Sequence, residues 1–244
     1  MRVSPGLLWL LIATNVATLC AVGFLVVTGF AFPRRAFEEI SAERINIVSP
    51  SGKTVIAISN KERIAPPALG GKVYPVSVSE GREHMAGMIF FNQTGDEMGG
   101  LLFNSFRLPN GRIAGIGHLS FDRYGDNQVI ALQYNENATS VQSGLRFFDR
   151  PADGTFKASL DLIEEAQAAS PERAAEIRRT LADMSNKGAL GVERVFVGSR
   201  NQVAQVLLRD SRGRVRARLL VDGTDEARLE FLNEFGDVAA RFPR

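Results

Sequence analysis

The side chains that could support acid–base or metal chemistry are few, and their spacing does not suit either. The chain has two histidines, His84 and His118, and one cysteine, Cys20. His118 precedes Asp122 by four residues in a segment predicted as a strand that runs into a turn. On a strand, side chains four residues apart share a face but lie about 13 Å apart, too far to bind one metal ion. We therefore interpret His118 as a structural or exposed residue and assign no metal site.

Sequence motifs of known catalytic and cofactor-binding sites are also missing. The chain has no nucleophile elbow, Walker sequence, EF-hand loop or HExxH motif, and its glycine cluster at 111–117 opens no predicted helix. Gly99 and Gly100 instead suggest a bulge or a close backbone approach within a strand. We predict a non-enzymatic protein with no catalytic, cofactor-binding or metal-binding residues, although distant residues can assemble a site that spacing does not reveal.

The element that positions the rest of the chain is an apolar run near the N-terminus. No charged residue occurs from Leu7 to Phe32. A helix of this length extends about 39 Å and would cross a hydrocarbon core of about 30 Å. A cleavable signal peptide has a shorter apolar region and small residues before its cleavage site, whereas Phe30 and Phe32 stand there in this chain. The sequence predicts an uncleaved transmembrane anchor at residues 1–36.

The orientation of this anchor rests on two opposing signals. Arg2 lies before the span, and Arg34 and Arg35 lie after it, so counting positive residues slightly favours a cytoplasmic domain. A short tail followed by a signal anchor favours the opposite arrangement. We expect a single-pass protein of a bacterial inner or intracytoplasmic membrane, with its domain on the periplasmic side.

The predicted span carries a face of small residues. Ala13, Ala17 and Ala21 recur at four-residue spacing, and Asn15 is an amide within the apolar run. Small residues allow close approach of a second helix, and an amide in hydrocarbon can bond to it. We take these four residues as a candidate helix–helix contact; the alternative is that the threonine hydroxyls bond to their own helix and Asn15 is simply tolerated.

Residues 37–244 show the pattern of an antiparallel β domain. Five runs of alternating apolar residues are broken by turns that open with Asp, Asn or Ser and close with Gly52, Gly95, Gly125, Gly213 or Gly236. Such turns are typical of hairpins, because glycine readily adopts a positive φ angle. The prediction is a mainly β fold of antiparallel hairpins, arranged as a sandwich, an open barrel or a stacked array.

Two segments interrupt this β pattern. Residues 61–87 contain Pro66-Pro67, Gly70-Gly71 and Pro75 and are predicted to form a long surface loop. Residues 159–187 are predicted to form a helical hairpin, in which Ser170 caps a helix that starts at Pro171 and ends before Gly188.

The overall charge gives little evidence for a charged partner. Net charge is only +2, which does not favour nucleic acid binding. Arg214, Arg216 and Arg218 alternate with apolar residues and share one strand face, so they form a candidate face for anionic headgroups or an acidic subunit. The alternative is a solvated face with acidic neighbours.

Several segments carry a resemblance to a bacterial family. They are FEEISAERINIVSPSGKTVIAISNKER, AGMIFFNQTGDEMGGLLF, GHLSFDRYGDNQVIALQY and GLRFFDRP. The chain resembles an uncharacterised family with one N-terminal span and a β-rich extramembrane domain, most clearly over residues 37–151. The resemblance implies that architecture and no activity, cofactor or site residue.

These observations lead to one functional hypothesis and two rivals. We expect an accessory subunit that stabilises a larger membrane complex, for example a photosynthetic or respiratory one. Its partners would be other membrane-protein subunits and the lipid bilayer. The first rival is a cell-envelope sensor or ligand-binding module with the 61–87 loop as a lid, and the second is a membrane-tethered hydrolase.

Overall fold

The computed structural model describes residues 4–30, 37–151 and 154–243. The chain divides into two compact units, Met1–Ser41 and Ala42–Arg244. The predicted end of the anchor at residue 36, with the neighbouring Arg34 and Arg35, lies outside the described residues.

The first unit contains helix α1 (Pro5–Phe30). Its segment Pro5–Phe24 has a mean hydropathy of 2.0 and is long and apolar enough to cross a membrane, a test that a signal sequence also passes. The hydroxyls of Thr14 and Thr18 donate to backbone carbonyl oxygens one turn earlier, at 3.0 and 2.8 Å. The helix therefore carries polar side chains without leaving their donors unpaired.

The second unit is built on one large antiparallel sheet. Its strands are β1 (Arg44–Val48), β2 (Thr54–Ser59), β3 (Ala68–Leu69), β4 (Lys72–Val73), β5 (Ala86–Phe91), β6 (Glu97–Arg107), β7 (Ile113–Asp122), β8 (Gln128–Glu136), β9 (Val141–Asp149), β10 (Val192–Arg200), β11 (Val203–Arg209), β12 (Val215–Val221), β13 (Ala227–Leu232) and β14 (Val238–Phe242). Twelve strands form the sheet in the order β1-β2-β5-β6-β7-β8-β9-β10-β11-β12-β13-β14, and β3 pairs with β4 separately. The predicted mainly β fold is confirmed, and its architecture is a single meander whose edges are β1 and β14.

The turns follow the predicted glycine pattern, with one difference. All five turn glycines have positive φ angles, between 71° and 94°. In four of the turns the glycine N–H donates to the carbonyl oxygen of the predicted opening residue, Ser49, Asn92, Asp210 or Asn233. In the fifth, Asp126 N–H donates to Arg123 O, so the turn starts one residue after Asp122.

One face of the sheet is apolar on every strand, and we call it the apolar face. Residues directly opposite each other on paired strands share a face. The first row of the apolar face consists of Ile45, Ile58, Met88, Leu101, Leu119, Leu132, Leu145, Val197, Val206, Leu219, Leu229 and Phe242. The second row consists of Ile47, Ile56, Phe90, Gly99, Phe121, Ile130, Phe147, Val195, Leu208, Ala217, Phe231 and Ala240.

The opposite face of the sheet, which we call the covered face, lies beneath the segment between β2 and β5. Ala57 and Ile89 on this face are fully buried against Ile64 and Ala65 of that segment. The prediction of a surface loop at residues 61–87 is wrong. Proline and glycine shape the segment locally, but its apolar side chains form part of the core, and β3, β4 and short 3₁₀ turns lie within it.

A helical hairpin packs on this segment. Helices α2 (Thr155–Ala168) and α3 (Pro171–Asn186) correspond to the predicted insertion at 159–187, with α2 starting four residues earlier. Leu160 of α2 joins Leu69, Tyr74 and Val78 in a buried cluster. Ser170 caps α3 as predicted, since its Oγ accepts from Arg173 N–H. The covered face therefore has two further layers above β2, β5 and β6.

Candidate functional site

A cavity of about 240 Å³ lies between the covered face and α2. Its apolar end is formed by the 61–87 segment and by the helix side chains Phe156, Leu160 and Ile163. Its polar end is formed by Arg82 of the 61–87 segment and by residues at the β5–β6 and β7–β8 ends of the sheet, namely Glu97, Asp122, Asp126, Asn127 and Gln128. A concave site with an apolar wall and a few convergent polar groups is typical of small-molecule binding.

Arg82 is the most deeply buried charged group of the cavity, with 4% of its surface exposed. Its Nε donates to Ala65 O at 2.8 Å, and its Nη1 donates to Glu97 Oε2 at 2.9 Å. Its Nη2 is buried and has no hydrogen-bond partner. Burial raises the pKa of Glu97, against the opposing effect of Arg82. The guanidinium thus ties the 61–87 segment to β6 and leaves one buried donor unpaired.

Asp122 is the second group with unused hydrogen-bonding capacity. It is the last residue of β7, and because the turn begins at Arg123, its carboxylate is not used to cap the turn. Its Oδ1 is buried without a partner. Burial and then the neighbouring carboxylate of Glu97 raise the pKa of Asp122 to about 7, against the opposing effects of Arg150 and Arg82. The side chain can therefore donate or accept a proton near neutral pH.

The helix that closes the cavity is fixed by an ion network around Asp161. Asp161 Oδ1 accepts from Lys72 Nζ at 2.8 Å and from Tyr74 Oη at 2.9 Å, and Oδ2 accepts from Lys157 Nζ at 2.9 Å. The hydrogen bond from Lys72, followed by that from Lys157, holds the pKa of Asp161 well below its usual range. The network joins α2 to β4 and to the segment beneath it.

The candidate residues named from sequence lie in two places, on α1 and near β12. In α1, Asn15 Nδ2 donates to Leu11 O at 2.8 Å, a bond within its own helix. Ala13, Ala17 and Ala21 are exposed on α1, and the helix–helix contact stays a prediction. His118 is bound to Gln133 through Nδ1 at 2.8 Å, and burial lowers its pKa.

The three arginines near β12 each have an acidic neighbour. Arg214 Nε donates to Asp210 Oδ2 at 2.8 Å, Arg216 lies 3.8 Å from the same carboxylate, and Arg218 Nε donates to Glu230 Oε2 at 2.5 Å. These pairs use part of the charge that an anionic partner would need. The anionic-partner hypothesis for Arg214, Arg216 and Arg218 stays a prediction.

Sequence reasoning missed Arg82, Glu97 and the role of Asp122. Arg82 lies in the segment interpreted as a surface loop, and Asp122 occupied the position of a turn-opening residue. The available signal was an arginine within an apolar, proline-rich segment. An apolar segment that is ordered buries its side chains, so an arginine within it can be buried with them.

A wider depression of about 860 Å³ lies at the other end of β6 to β11. It is lined mainly by exposed turn residues, including Asn137–Ser140 and Asn201. None of its lining groups combines burial with an unpaired polar atom among the residues the structure describes. The cavity beneath α2 is therefore the stronger candidate.

Comparisons with known proteins add no independent assignment. No protein-family model, curated protein or solved structure matches the chain. Over residues 4–30, 37–151 and 154–243, no group of three or more His, Cys, Asp or Glu residues is placed to hold a metal ion. Functional conclusions therefore rest on the geometry of the chain itself.

Proposed function

We propose that this chain is a non-enzymatic, membrane-anchored interaction protein whose docking surface is the apolar face. The observation that carries the proposal is the first row, in which each of twelve strands contributes an apolar side chain. Leu132, near its centre, is 53% exposed, and Leu219 is equally exposed. Contiguous exposed apolar surface of this kind is typical of interaction sites and disfavours an isolated monomer.

The size of the apolar face suits a stable protein interface. Eleven strand spacings of about 4.8 Å give the rows a length of about 53 Å. Two rows of side chains cover a width of about 13 Å, hence a footprint of roughly 700 Å². A standard interface buries about 800 Å² on each partner. The rows thus supply most of the area that a specific complex needs.

The occupant we infer is a second copy of this chain. A two-fold axis between two stacked sheets places apolar rows opposite apolar rows, so the face is complementary to itself. The leucine and valine side chains of the first row would interdigitate at a sheet spacing of about 10 Å. A membrane anchor confines both copies to one plane, which raises their effective concentration.

The proposed dimer would be attached to a membrane and would belong to a larger complex, as expected from the sequence. The paired domains would form an accessory element that stabilises a larger membrane complex of a bacterial inner or intracytoplasmic membrane, with the domain on the periplasmic side. Support comes from the apolar helix α1 and from the apolar face, which respectively suit a bilayer and a protein surface.

The test is native mass spectrometry of the full chain after extraction in mild detergent. The proposal expects a dimer, and it expects Leu132→Lys to convert the dimer to a monomer because a charge would be buried between the sheets. Phe235→Ser is the matched control, since Phe235 is an exposed aromatic residue in the β13–β14 turn and outside both rows. A wild-type monomer would overturn the proposal, and a one-to-one complex with a different protein would replace the second copy as the occupant.

A further inference from the structure

Four arginines line an open cavity of about 320 Å³ on the covered face. They belong to β9, β10, β11 and the β11–β12 turn, and they are Arg146, Arg200, Arg209 and Arg212. The strand register places Arg146 and Phe196 in the same row as Ala57 and Ile89, which defines their face. The cavity therefore lies on the side of the sheet opposite to the apolar face, and the proposed dimer does not cover it.

Phe196 holds two of these guanidinium groups over one ring. Its side chain is fully buried, and it lies over Gly144 and Gly198, where a Cβ would come within 2.5 and 2.9 Å of ring atoms. Arg146 Cζ lies 5.3 Å from the ring centroid, and Arg200 Cζ lies 5.8 Å from it. Both distances are within the cation–π range. The ring therefore brings two like charges to one place on the covered face.

Glu193 is the only carboxylate among the described residues that line this cavity. Its Oε2 accepts from Arg146 Nη1 at 2.5 Å, and its Oε1 accepts from Arg209 Nε at 3.1 Å. The carboxylate of Asp210, in the adjoining turn, accepts from Arg214 Nε instead. One carboxylate thus faces four guanidinium groups, which leaves the cavity with an excess of three positive charges.

The donors that a ligand can reach are on Arg200 and Arg212, whose side chains are both exposed. Arg200 Nε donates to Gln142 Oε1 at 2.7 Å, which leaves its two Nη atoms for a ligand. Arg212 makes a hydrogen bond through its backbone N–H, and its guanidinium has no protein partner within the described part of the chain. The end of α3 also borders the cavity through Ser185, and its last carbonyl oxygens are capped by the N–H groups of residues 187–189.

We propose that this cavity binds a phosphate group in the form of a phosphomonoester. A guanidinium presents paired donors that match the oxygens of phosphate. A phosphomonoester carries about two negative charges near neutral pH and three strong acceptor oxygens, whereas a carboxylate has one charge and two oxygens. The phosphate therefore suits two free guanidinium groups and the excess positive charge better. Its oxygens accept from the Nη atoms of Arg200 and from Arg212, while Arg146, Glu193 and Arg209 form the wall.

Isothermal titration calorimetry of the full chain in detergent micelles tests the proposal, with inorganic phosphate as the probe. Sodium acetate and sodium chloride at matched ionic strength are the control anions. The proposal expects saturable one-to-one binding of phosphate, binding of acetate that is weaker by about tenfold or more, and no binding of chloride. Phosphate binding should also weaken as salt is added, because salt screens exposed charges.

Substitutions of the two exposed arginines locate the site. Arg200→Gln and Arg212→Gln should each weaken phosphate binding about tenfold, through the loss of a charged hydrogen bond. Arg178→Gln, which removes an exposed arginine of α3 that does not line the cavity, should bind as the wild type does. If Arg200→Gln does not fold because Phe196 loses its cover, Arg212→Gln alone carries the test. Absence of phosphate binding in the wild type, equal binding of acetate, or unchanged binding in Arg212→Gln would overturn the proposal.

A lipid headgroup and a soluble phosphomonoester present the same phosphate, and competition separates the two sources. Phosphatidic acid is added to the micelles before the phosphate titration, with phosphatidylcholine as the matched control. Loss of phosphate binding with phosphatidic acid alone supports a lipid headgroup, and unchanged binding supports a soluble ligand of the same site. This proposal and the dimer fail separately: a dimer that binds no phosphate overturns only the phosphate site, and a monomer that binds it overturns only the docking surface.

Discussion

Phe90 and Phe121 stack across Gly99, with their ring centroids 6.5 Å apart and their planes inclined by 18°. The register places Gly99 opposite Phe121, so glycine occupies a position of the second row where every other strand carries an apolar side chain. The two rings therefore cover the gap that the missing side chain leaves. This arrangement keeps the apolar face continuous between β5 and β7.

The position of Gly99 predicts a large effect of a single methyl group. A Cβ at Gly99 would lie 2.3 Å from Ser120 O, and the residue has a φ angle of 108°. Gly99→Ala should lower the free energy of unfolding by about 2–4 kcal/mol, because backbone strain and a backbone clash add together. Urea unfolding followed by circular dichroism measures this, with Gly223→Ala as the control because its Cβ would meet nothing within 4 Å. Equal effects of the two substitutions would contradict the assigned register.

The buried ion pairs of Glu230 predict that the free energy of unfolding falls at acidic pH. This side chain is 1% exposed and accepts from Arg218 Nε at 2.5 Å and from Arg241 Nε at 2.7 Å. Burial pushes the pKa of Glu230 upward, but the two arginines outweigh burial and leave it below its ordinary value. The stabilisation is therefore complete above the unfolded pKa of about 4.3 and is lost as pH falls through the folded pKa.

The comparison of Glu230→Gln with wild type measures this contribution. The amide should destabilise the protein by about 1–3 kcal/mol at pH 7, because two charged hydrogen bonds are weakened. The difference should shrink as pH falls below 4. Glu226→Gln, at an exposed turn residue, serves as the control with no expected change. A difference that stays constant down to pH 2 would contradict the role of the carboxylate.

The raised pKa of Asp122 predicts the opposite pH dependence, a loss of stability as pH rises. Its pKa in the folded protein is about 7, above the value of about 3.9 in an unfolded chain. The unfolded state therefore loses its proton first as pH rises, and stability falls between about pH 4 and pH 7 by up to about 4 kcal/mol. Asp122→Asn should remove this fall and make the protein more stable than wild type above pH 7. If the free energies of unfolding of the two proteins changed in parallel from pH 4 to pH 8, the raised pKa of the buried Asp122 carboxyl would be contradicted.

The burial of Tyr74 and its hydrogen bond to Asp161 predict that this residue stabilises the packing of α2. Its ring is 1% exposed, and its hydroxyl donates to Asp161 of α2. Tyr74→Ala should cost about 3–5 kcal/mol through the cavity it leaves. Tyr74→Phe should cost less and act mainly by increasing hydrogen exchange of α2 amides. Tyr124→Phe, at an exposed tyrosine in the β7–β8 turn, is the matched control; equal exchange of α2 in both variants would show that the hydroxyl does not hold the helix.

The elements with strong local signals were predictable from sequence. Turn glycines and period-two alternation gave the hairpins, and Ser170 with Pro171 gave the start of α3. The turn at Asp222–Asp225 was missed because Asp225, with a φ angle of 63°, occupies the position that glycine fills elsewhere. The burial of the 61–87 segment was missed because proline and glycine report local conformation, whereas burial depends on what packs above β2 and β5.

The candidate site was less predictable than the fold. Asp122 matched the pattern of a turn-opening residue, and only the one-residue shift to Arg123 leaves its carboxylate out of the turn. The apolar face depends on strand register, which places Leu132 beside Leu119 and Leu145. Alternation alone could not show that these rows align across all twelve strands.

The central claim is that two copies pack through their apolar faces, and cysteine cross-linking in intact membranes tests it most directly. With Cys20→Ser as background, Leu132→Cys places one thiol at the centre of the first row, where either two-fold arrangement brings the two copies to about 10 Å. Arg178→Cys, on the exposed side of α3, is the control. The account predicts that a bismaleimide of about 10 Å reach joins Leu132→Cys chains into dimers, at the sheet spacing expected for stacked faces, and leaves Arg178→Cys chains monomeric. Efficient labelling of Leu132→Cys without any dimer would contradict it.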